Sequence, residues 1–297
     1  MRNLGSTSPM KGTDMQPKEW HPSNVNRAKQ CQRAALYDEI NCVEISAGDA
    51  VPAPPTYEMF RGTATHLVLE LAAAEGGELQ TALRINELAP WEDHPDFNII
   101  SDERMSDIMD DCEQFIRNYY ELEDMSTVDI EATELTLSSI IGGVPFVGTI
   151  DRVDKVGDTA VRIVDYKTGS FKPVEEWRQA ARRQICMYAM AYEHMFPYSV
   201  VVAGTIYWLG ETPAEEDVTI TKSKILQAKS QFQETYIDML LGRNEPSPGP
   251  LCGWCDHALD CPEGEVVVRE RIAKGLKVSL LHKVAFDAID NGLDHIE

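Results

Sequence analysis

Two apolar segments joined by a Gly-Asp turn constrain this chain more than any other feature. Val144–Val156 reads VPFVGTIDRVDKV, and Val161–Gly169 reads VRIVDYKTG. β-branched residues dominate both and Thr168-Gly169 ends the second, so each reads as a strand. Gly157-Asp158 predicts a turn that pairs them as a hairpin. Side chains two apart in a strand share a face. Asp165 and Lys167 therefore project together, Tyr166 faces the other way, and Asp151 lies near Asp165 across the ladder. Burial penalises each charge unless it has a partner. A divalent cation partners carboxylates, and a water or reacting oxyanion partners the ammonium. Two carboxylates and a lysine at one spot form the donor set of a Mg²⁺- or Mn²⁺-dependent phosphodiester hydrolase. For an isolated D-x-K, a surface hairpin with ordinary charges is the competing reading.

The 297 residues suffice for one large domain or two small ones. No run of about 18 apolar residues is present, so no membrane span is expected. The opening MRNLGSTSPMKGTDMQPKEW has no apolar core and does not read as a signal peptide. The net charge of −22, from 27 basic and 49 acidic residues, argues against a broad nucleic-acid-coating surface. The acid is uneven. From Arg162 to Tyr188 six basic residues (Arg162, Lys167, Lys172, Arg178, Arg182, Arg183) face three acidic ones, a local groove able to guide a strand.

In chain order, residues 1–19 read as a polar arm. A helix capped by Ser23 or Asn24 carries Cys31 in its middle. Residues 40–57, with Pro52, Pro54 and Pro55, read as a loop. A helix beginning near Gly62-Thr63 places His66 and Glu70 on one face. Gly76–Pro95 reads as irregular. Ser101–Met125 is a long helix whose Ile108, Cys112, Phe115 and Tyr119 form a core stripe. Strands follow at Val128–Ser139 and in the hairpin. Next comes a helix over Pro173–Met195, with Trp177, Ala181, Ile185, Tyr188 and Tyr192 on its packing face and Gln184 four residues before Tyr188. Tyr198–Leu209 is an apolar central strand, Asp217–Thr221 a short edge strand and Lys222–Leu241 a helix. The Pro/Gly-rich Asn244–Pro250 links these to the C-terminal region, where Val278–Ile289 is amphipathic. The expected division is an arm (1–19), an N-terminal helical region (20–128), a catalytic core (129–243) and a C-terminal cysteine region with its tail (244–297).

The cysteines number seven, an odd count that with no secretion signal argues against disulfides and for metal or cluster ligation. Cys252-x2-Cys255-x5-Cys261 is compact and lacks a fourth ligand. His257 would complete a zinc site. A distant cysteine such as Cys31 would complete an all-cysteine site suited to a 4Fe–4S cluster.

Taken in order, His66 in GTATH, Asp151 in GTIDRVD, Asp165 and Lys167 in DYKTG, and Gln184-x3-Tyr188 resemble the PD-(D/E)XK nuclease superfamily in its RecB-like branch. With Cys31 early and Cys252, Cys255 and Cys261 late, the chain is similar to iron–sulfur RecB-like exonucleases: CRISPR-associated enzymes, phage relatives and the AddB nuclease domain. The resemblance spans about residues 23–262. It implies an α/β, restriction-endonuclease-like core, a mixed central sheet flanked by helices, with an Fe–S-closed helical lobe from both termini. It implies that His66, Asp151, Asp165 and the Tyr166 carbonyl ligate Mg²⁺ or Mn²⁺ and that Lys167 orients or activates water. Gln184 and Tyr188 would support the site or contact DNA. Cys31, Cys252, Cys255 and Cys261 would hold the 4Fe–4S cluster, with Cys42 as the substitute for Cys31 and zinc as the other metal. Glu134 stands where relatives often carry an acid.

The implied activity is a DNA exonuclease on single strands or ends, 5′→3′ in many members, with some endonuclease activity, in the cytoplasm (the host's, if phage-encoded). The alternative is a DNA-end-recognising or structural module of a recombination or CRISPR-adaptation complex, docking on a recombinase, helicase or integrase.

Overall fold

The computed structural model describes residues 17–48, 56–88, 102–169 and 175–290. Its helices are α1 (Pro22–Gln30), α2 (Gln32–Ala47), α3 (Tyr57–Ala74), α4 (Leu79–Leu88) and α5 (Asp102–Leu122). Strands β1 (Ile130–Ile141), β2 (Val144–Lys155) and β3 (Ala160–Lys167) follow, then α6 (Glu175–Met195), β4 (Val200–Trp208) and β5 (Ala214–Thr219). The chain continues with α7 (Lys222–Leu240), α8 (Pro262–Ala273) and α9 (Leu280–Asp290). It divides into two units: Lys18–Ser23 with Pro52–Gln233, and Asn24–Val51 with Glu234 onwards.

The first unit holds one mixed sheet in the order β1-β2-β3-β4-β5. β1, β2 and β3 are successively antiparallel, β3 and β4 are parallel, and β5 returns antiparallel as the far edge. The expected β2–β3 hairpin is therefore present. Parallel neighbours need a crossover, which α6 supplies between β3 and β4. Helix α6 comes close to the sheet because two glycines let it. A Cβ on Gly148 would lie 2.9 Å from the Tyr188 ring, and one on Gly204 would collide with Ile185. Helices α3, α4 and α5 bury Val68, Ile108, Ile116 and Tyr119 against Val164, Tyr166 and Tyr207 of the sheet, including the expected α5 stripe. In the second unit Ala258, Val268 and Phe286 form a small core.

Several expected boundaries move. Cys31 is not in the middle of a helix: at φ −161° and ψ 113° it is an extended residue that separates α1 from α2. Helix α2 runs on to Ala47, through part of the segment read as a loop, and ends on Gly48 in the left-handed region. Helix α3 starts earlier than Gly62-Thr63, because Thr56 accepts a hydrogen bond from the Met59 amide and caps it. Part of the segment read as irregular is α4. Trp177 leaves the packing face of α6 and is 52% exposed. Residues 1–16, 49–55, 89–101, 170–174 (Pro173 among them) and 291–297 lie outside the described residues.

Candidate active site

The last paired residues of β2 and β3 are Arg152 and Val164; one step further stand Asp151 and Asp165. There the Tyr166 amide donates to Asp151 Oδ2, 2.6 Å, in place of a ladder carbonyl. Lys167 Nζ lies 3.0 Å from Asp165 Oδ1 and 2.7 Å from Oδ2. It also donates to Gln184 Oε1 (3.2 Å), and Gln184 Nε2 donates to the Tyr188 hydroxyl (2.9 Å). Strand β3 and helix α6 thus bring Asp165, Lys167, Gln184 and Tyr188 into one chain of contacts.

His66, from α3, completes the group. Its Nδ1 lies 3.4 Å from Asp151 Oδ1 and 3.8 Å from Glu134 Oε1. The His66, Glu134 and Asp151 donor atoms lie within 4.8 Å of one another, the spacing a single cation needs, and among the described residues no other three metal-binding side chains do. Glu70, expected beside His66 on one helix face, stays outside this trio.

Glu134 is the residue that sequence reading undervalued. It sits between Thr133 and Leu135, which pair with Arg152 and Ile150, so it faces Asp151 across β1 and β2. It is also the one non-glycine among the described residues with positive φ, at 45°. Such a conformation costs roughly 1–3 kcal/mol and persists where the surroundings impose it, often at working sites. The signal available in sequence was an acid in the strand before the hairpin, but the register that aims it at Asp151 is a tertiary fact.

Burial raises the Asp165 carboxyl, and the neighbouring Asp151 charge adds to this against the pull of Lys167. Asp151 goes the other way: burial opposes its charge, but His66, Lys167 and the Tyr166 amide hold it below the ordinary range. Burial would lower the His66 imidazole, yet Asp151 and Glu134 outweigh it and push it up to about 10. A pocket that draws a proton to its imidazole and keeps one carboxyl hard to ionise has an excess of negative charge, and a divalent cation relieves that excess. The donor set, one imidazole and carboxylate oxygens, fits Mg²⁺ or Mn²⁺.

The alternate residues of the same strands build a second, buried cluster. Arg152 donates to Tyr119 Oη, to Tyr166 Oη (3.2 Å), to Glu123 (2.8 Å) and to Asp154 (3.0 Å). Arg162 also pairs with Glu123 and Asp154, both at 2.9 Å. Part of the expected basic groove is thereby spent: Arg162 is in this cluster, while Arg178 and Arg182 pair with Glu216. Lys172 lies outside the described residues. Burial opposes the Glu123 charge, but the Tyr207 hydroxyl and both arginines hold its pKa below the usual value. A depressed carboxylate stabilises the fold above its unfolded pKa of about 4.3 and loses that contribution as pH falls through the lower, folded pKa. The melting temperature should therefore drop below about pH 4.3, and Glu123→Gln should be less stable at pH 7 and show a shallower drop. Parallel pH–melting curves for the two proteins would remove Glu123 from the acid response.

In the second unit, Cys31, Cys252, Cys255 and Cys261 line one cavity of about 20 Å³ with Tyr37 and His257. Arg27 Nη2 lies 3.7 Å from Cys255 Sγ, and Arg33 Nη1 lies 3.7 Å from Cys261 Sγ. His257 Nε2 is engaged by Asp38 Oδ1 at 2.6 Å. Cys42 is exposed and does not line the cavity.

The mixed sheet thus presents two carboxylates and a lysine where a hairpin ends, faced by an imidazole and a third acid. The chain belongs to the PD-(D/E)XK nuclease superfamily, whose family model matches residues 19–262. Nucleases of this superfamily use divalent metals. Among solved structures, a candidate exonuclease from Eubacterium rectale aligns at 12% identity over 82% of this chain and 90% of its own, with a TM-score of 0.48. SSO0001 aligns at 14% identity over 76% of this chain and 93% of its own, with a TM-score of 0.36. No curated protein sequence matches. No helix among the described residues is long and apolar enough to cross a membrane.

Proposed function

We propose that the protein is a Mg²⁺- or Mn²⁺-dependent deoxyribonuclease that acts as an exonuclease on single strands or ends. The observation that carries this is the convergence of His66, Glu134 and Asp151 beside the Asp165–Lys167–Gln184 chain. His66, Glu134, Asp151, Asp165 and the Tyr166 carbonyl are the groups offered to metal. A bound divalent ion supplies Lewis-acid polarisation of the phosphodiester and lowers the pKa of coordinated water. Lys167 orients the attacking water and offsets charge growing on the phosphate. Gln184 fixes the lysine head, and Tyr188 fixes Gln184. The 5′→3′ direction implied by the resemblance is read out by cutting DNA labelled at either end.

Metal binding has a readout independent of cleavage. At about 100 times Kd a ligand stabilises by about 2.7 kcal/mol, and 1 kcal/mol moves the melting point of a 150–250-residue domain by about 2–4 °C. Mn²⁺ should therefore raise it by roughly 5–10 °C. Asp151→Asn should abolish the rise. Glu134→Asn, which tolerates the left-handed backbone, should shrink it while leaving metal-free stability intact. A full rise in both variants would remove these carboxylates from the metal site.

We infer further that Cys31, Cys252, Cys255 and Cys261 hold a 4Fe–4S cluster. Arg27 and Arg33 lie beside the Cys255 and Cys261 sulfurs, and burial nonetheless raises the Cys255 thiol. Cys31, Cys252, Cys255 and Cys261 line one cavity, as an all-cysteine site requires. Cys255→Ala should lose iron and brown colour after anaerobic purification and melt well below wild type. Equal melting points and equal iron content would refute the assignment.

A further inference from the structure

We propose that a cleft between α6, β5 and the start of α7 holds a phosphodiester of the nucleic-acid strand whose cleavage takes place on the other side of α6. The cleft measures about 320 Å³, at the lower end of the range for ligand sites. Arg182, Arg183 and Lys224 line it, together with Gln179, Gln227 and Gln231. No carboxylate is among its lining residues, in a chain whose net charge is −22. Cations and amides without acids make an anion site. Arg182 shares its charge with Glu216 and Glu175, and Arg183 and Lys224, whose Nζ donates to the Thr219 carbonyl at 2.8 Å, are the other two cations of the lining.

The lining also decides which part of a nucleotide it takes. Sequence-tolerant capture of bases uses aromatic platforms. None of the residues lining this cleft is aromatic; its apolar floor is Val218, Ala228 and the buried Cys186. Contact with the sugar–phosphate backbone is what remains, and such contacts fix register without reading sequence. Position points to the strand. Arg182 and Arg183 occupy the same turn of α6 as Gln184, whose amide holds Lys167 on the catalytic side. A helix with its side chains is about 10–12 Å across, so the cleft lies a short strand segment away from the reacting phosphate. The cleft thereby gives an acidic protein a local hold on a polyanion.

The inference rests on the nuclease reading, so the test separates binding from cutting. Fluorescence anisotropy of a 20-nucleotide single strand in EDTA is measured against salt for wild type, Arg183→Gln/Lys224→Gln and Lys224→Glu. Lys224 is exposed, so its substitution leaves the core untouched. Each phosphate contact on a single strand contributes about −0.7 to the slope of log K against log salt. The double variant should bind roughly tenfold more weakly, with a slope shallower by about 1.4, and Lys224→Glu should weaken binding in the same direction. Unchanged affinity and slope in both variants would overturn the proposal. Loss of thymidine monophosphate binding alone would assign the cleft to free nucleotide, and binding of an acidic peptide with DNA binding unaltered would assign it to a protein; either overturns it. Cleavage failing in wild type while the anisotropy results hold would count against the catalytic reading and leave the cleft standing.

Discussion

Lys167→Ala should cut single-stranded DNA with Mn²⁺ about 10²–10³-fold more slowly in kcat, the loss expected when one preorganised donor leaves a transition state. The lysine is held on three sides: by both oxygens of Asp165 and by the Gln184 amide oxygen. Burial works against its charge, yet Asp165 and Asp151 raise its pKa, so it waits in the site as an ammonium. That state suits it to orient water and to meet developing negative charge. KM should change little, because the effect lies in the reacting complex. Lys167→Arg should recover only part of the rate, since a planar fork does not replace a point charge. Without the ammonium, Asp165 and Asp151 repel each other with less compensation, so the metal-free variant should melt earlier while Mn²⁺ still stabilises it. A kcat within twofold of wild type would remove Lys167 from the mechanism.

Arg152→Met should destabilise the protein by about 3–5 kcal/mol, the range for removing one partner of a buried ion network. This is roughly 6–20 °C in melting temperature at about 2–4 °C per kcal/mol. The guanidinium is 1% exposed and ties Glu123 and Asp154 to the hydroxyls of Tyr119 and Tyr166. Methionine fills the volume but leaves two carboxylates with Arg162 as their remaining cation. Tyr166→Phe, which loses the hydroxyl shared with Arg152 and Tyr119 but leaves the ion network in place, should cost less, about 1–2 kcal/mol. Arg152→Met should also slow cleavage per folded molecule, since Asp151 and Tyr166 are fastened from behind by this cluster. Unfolding at the wild-type temperature would mean that the network is dispensable.

The hairpin and the placement of its charges were legible because strand periodicity needs only local sequence: Asp165 and Lys167 share a face and Tyr166 opposes them, as two-residue alternation requires. Gln184 and Tyr188 were legible as a helical pair, and their meeting with Lys167 follows from the short β3–α6–β4 crossover. Glu134 was less so, since the register of β1 on β2 is set by long-range pairing. Arg152 stood in plain view inside GTIDRVD, but a charged residue in a strand signals burial only once its partners from α5 are known. The break at Cys31 lies in KQCQR, which contains no glycine or proline. Helix α4 carries Leu79, Ala82 and Leu83 at helical spacing, a pattern obscured by the glycine pair before it and the acidic stretch after it.

The interleaving of the two units carries a consequence for synthesis. Helices α1 and α2 leave the ribosome early, yet their partners in the second unit begin at Glu234. Translation at about 5–20 residues per second makes Cys31 wait roughly 10–45 s for Cys252. The sheet of the first unit has all its strands by Thr219, so it can form during that interval. Assembly of the cysteine unit then follows that of the sheet. The cluster proposed for the four thiols would then be delivered to a protein whose sheet is already paired, and until delivery Cys31 would be a thiol awaiting its partners.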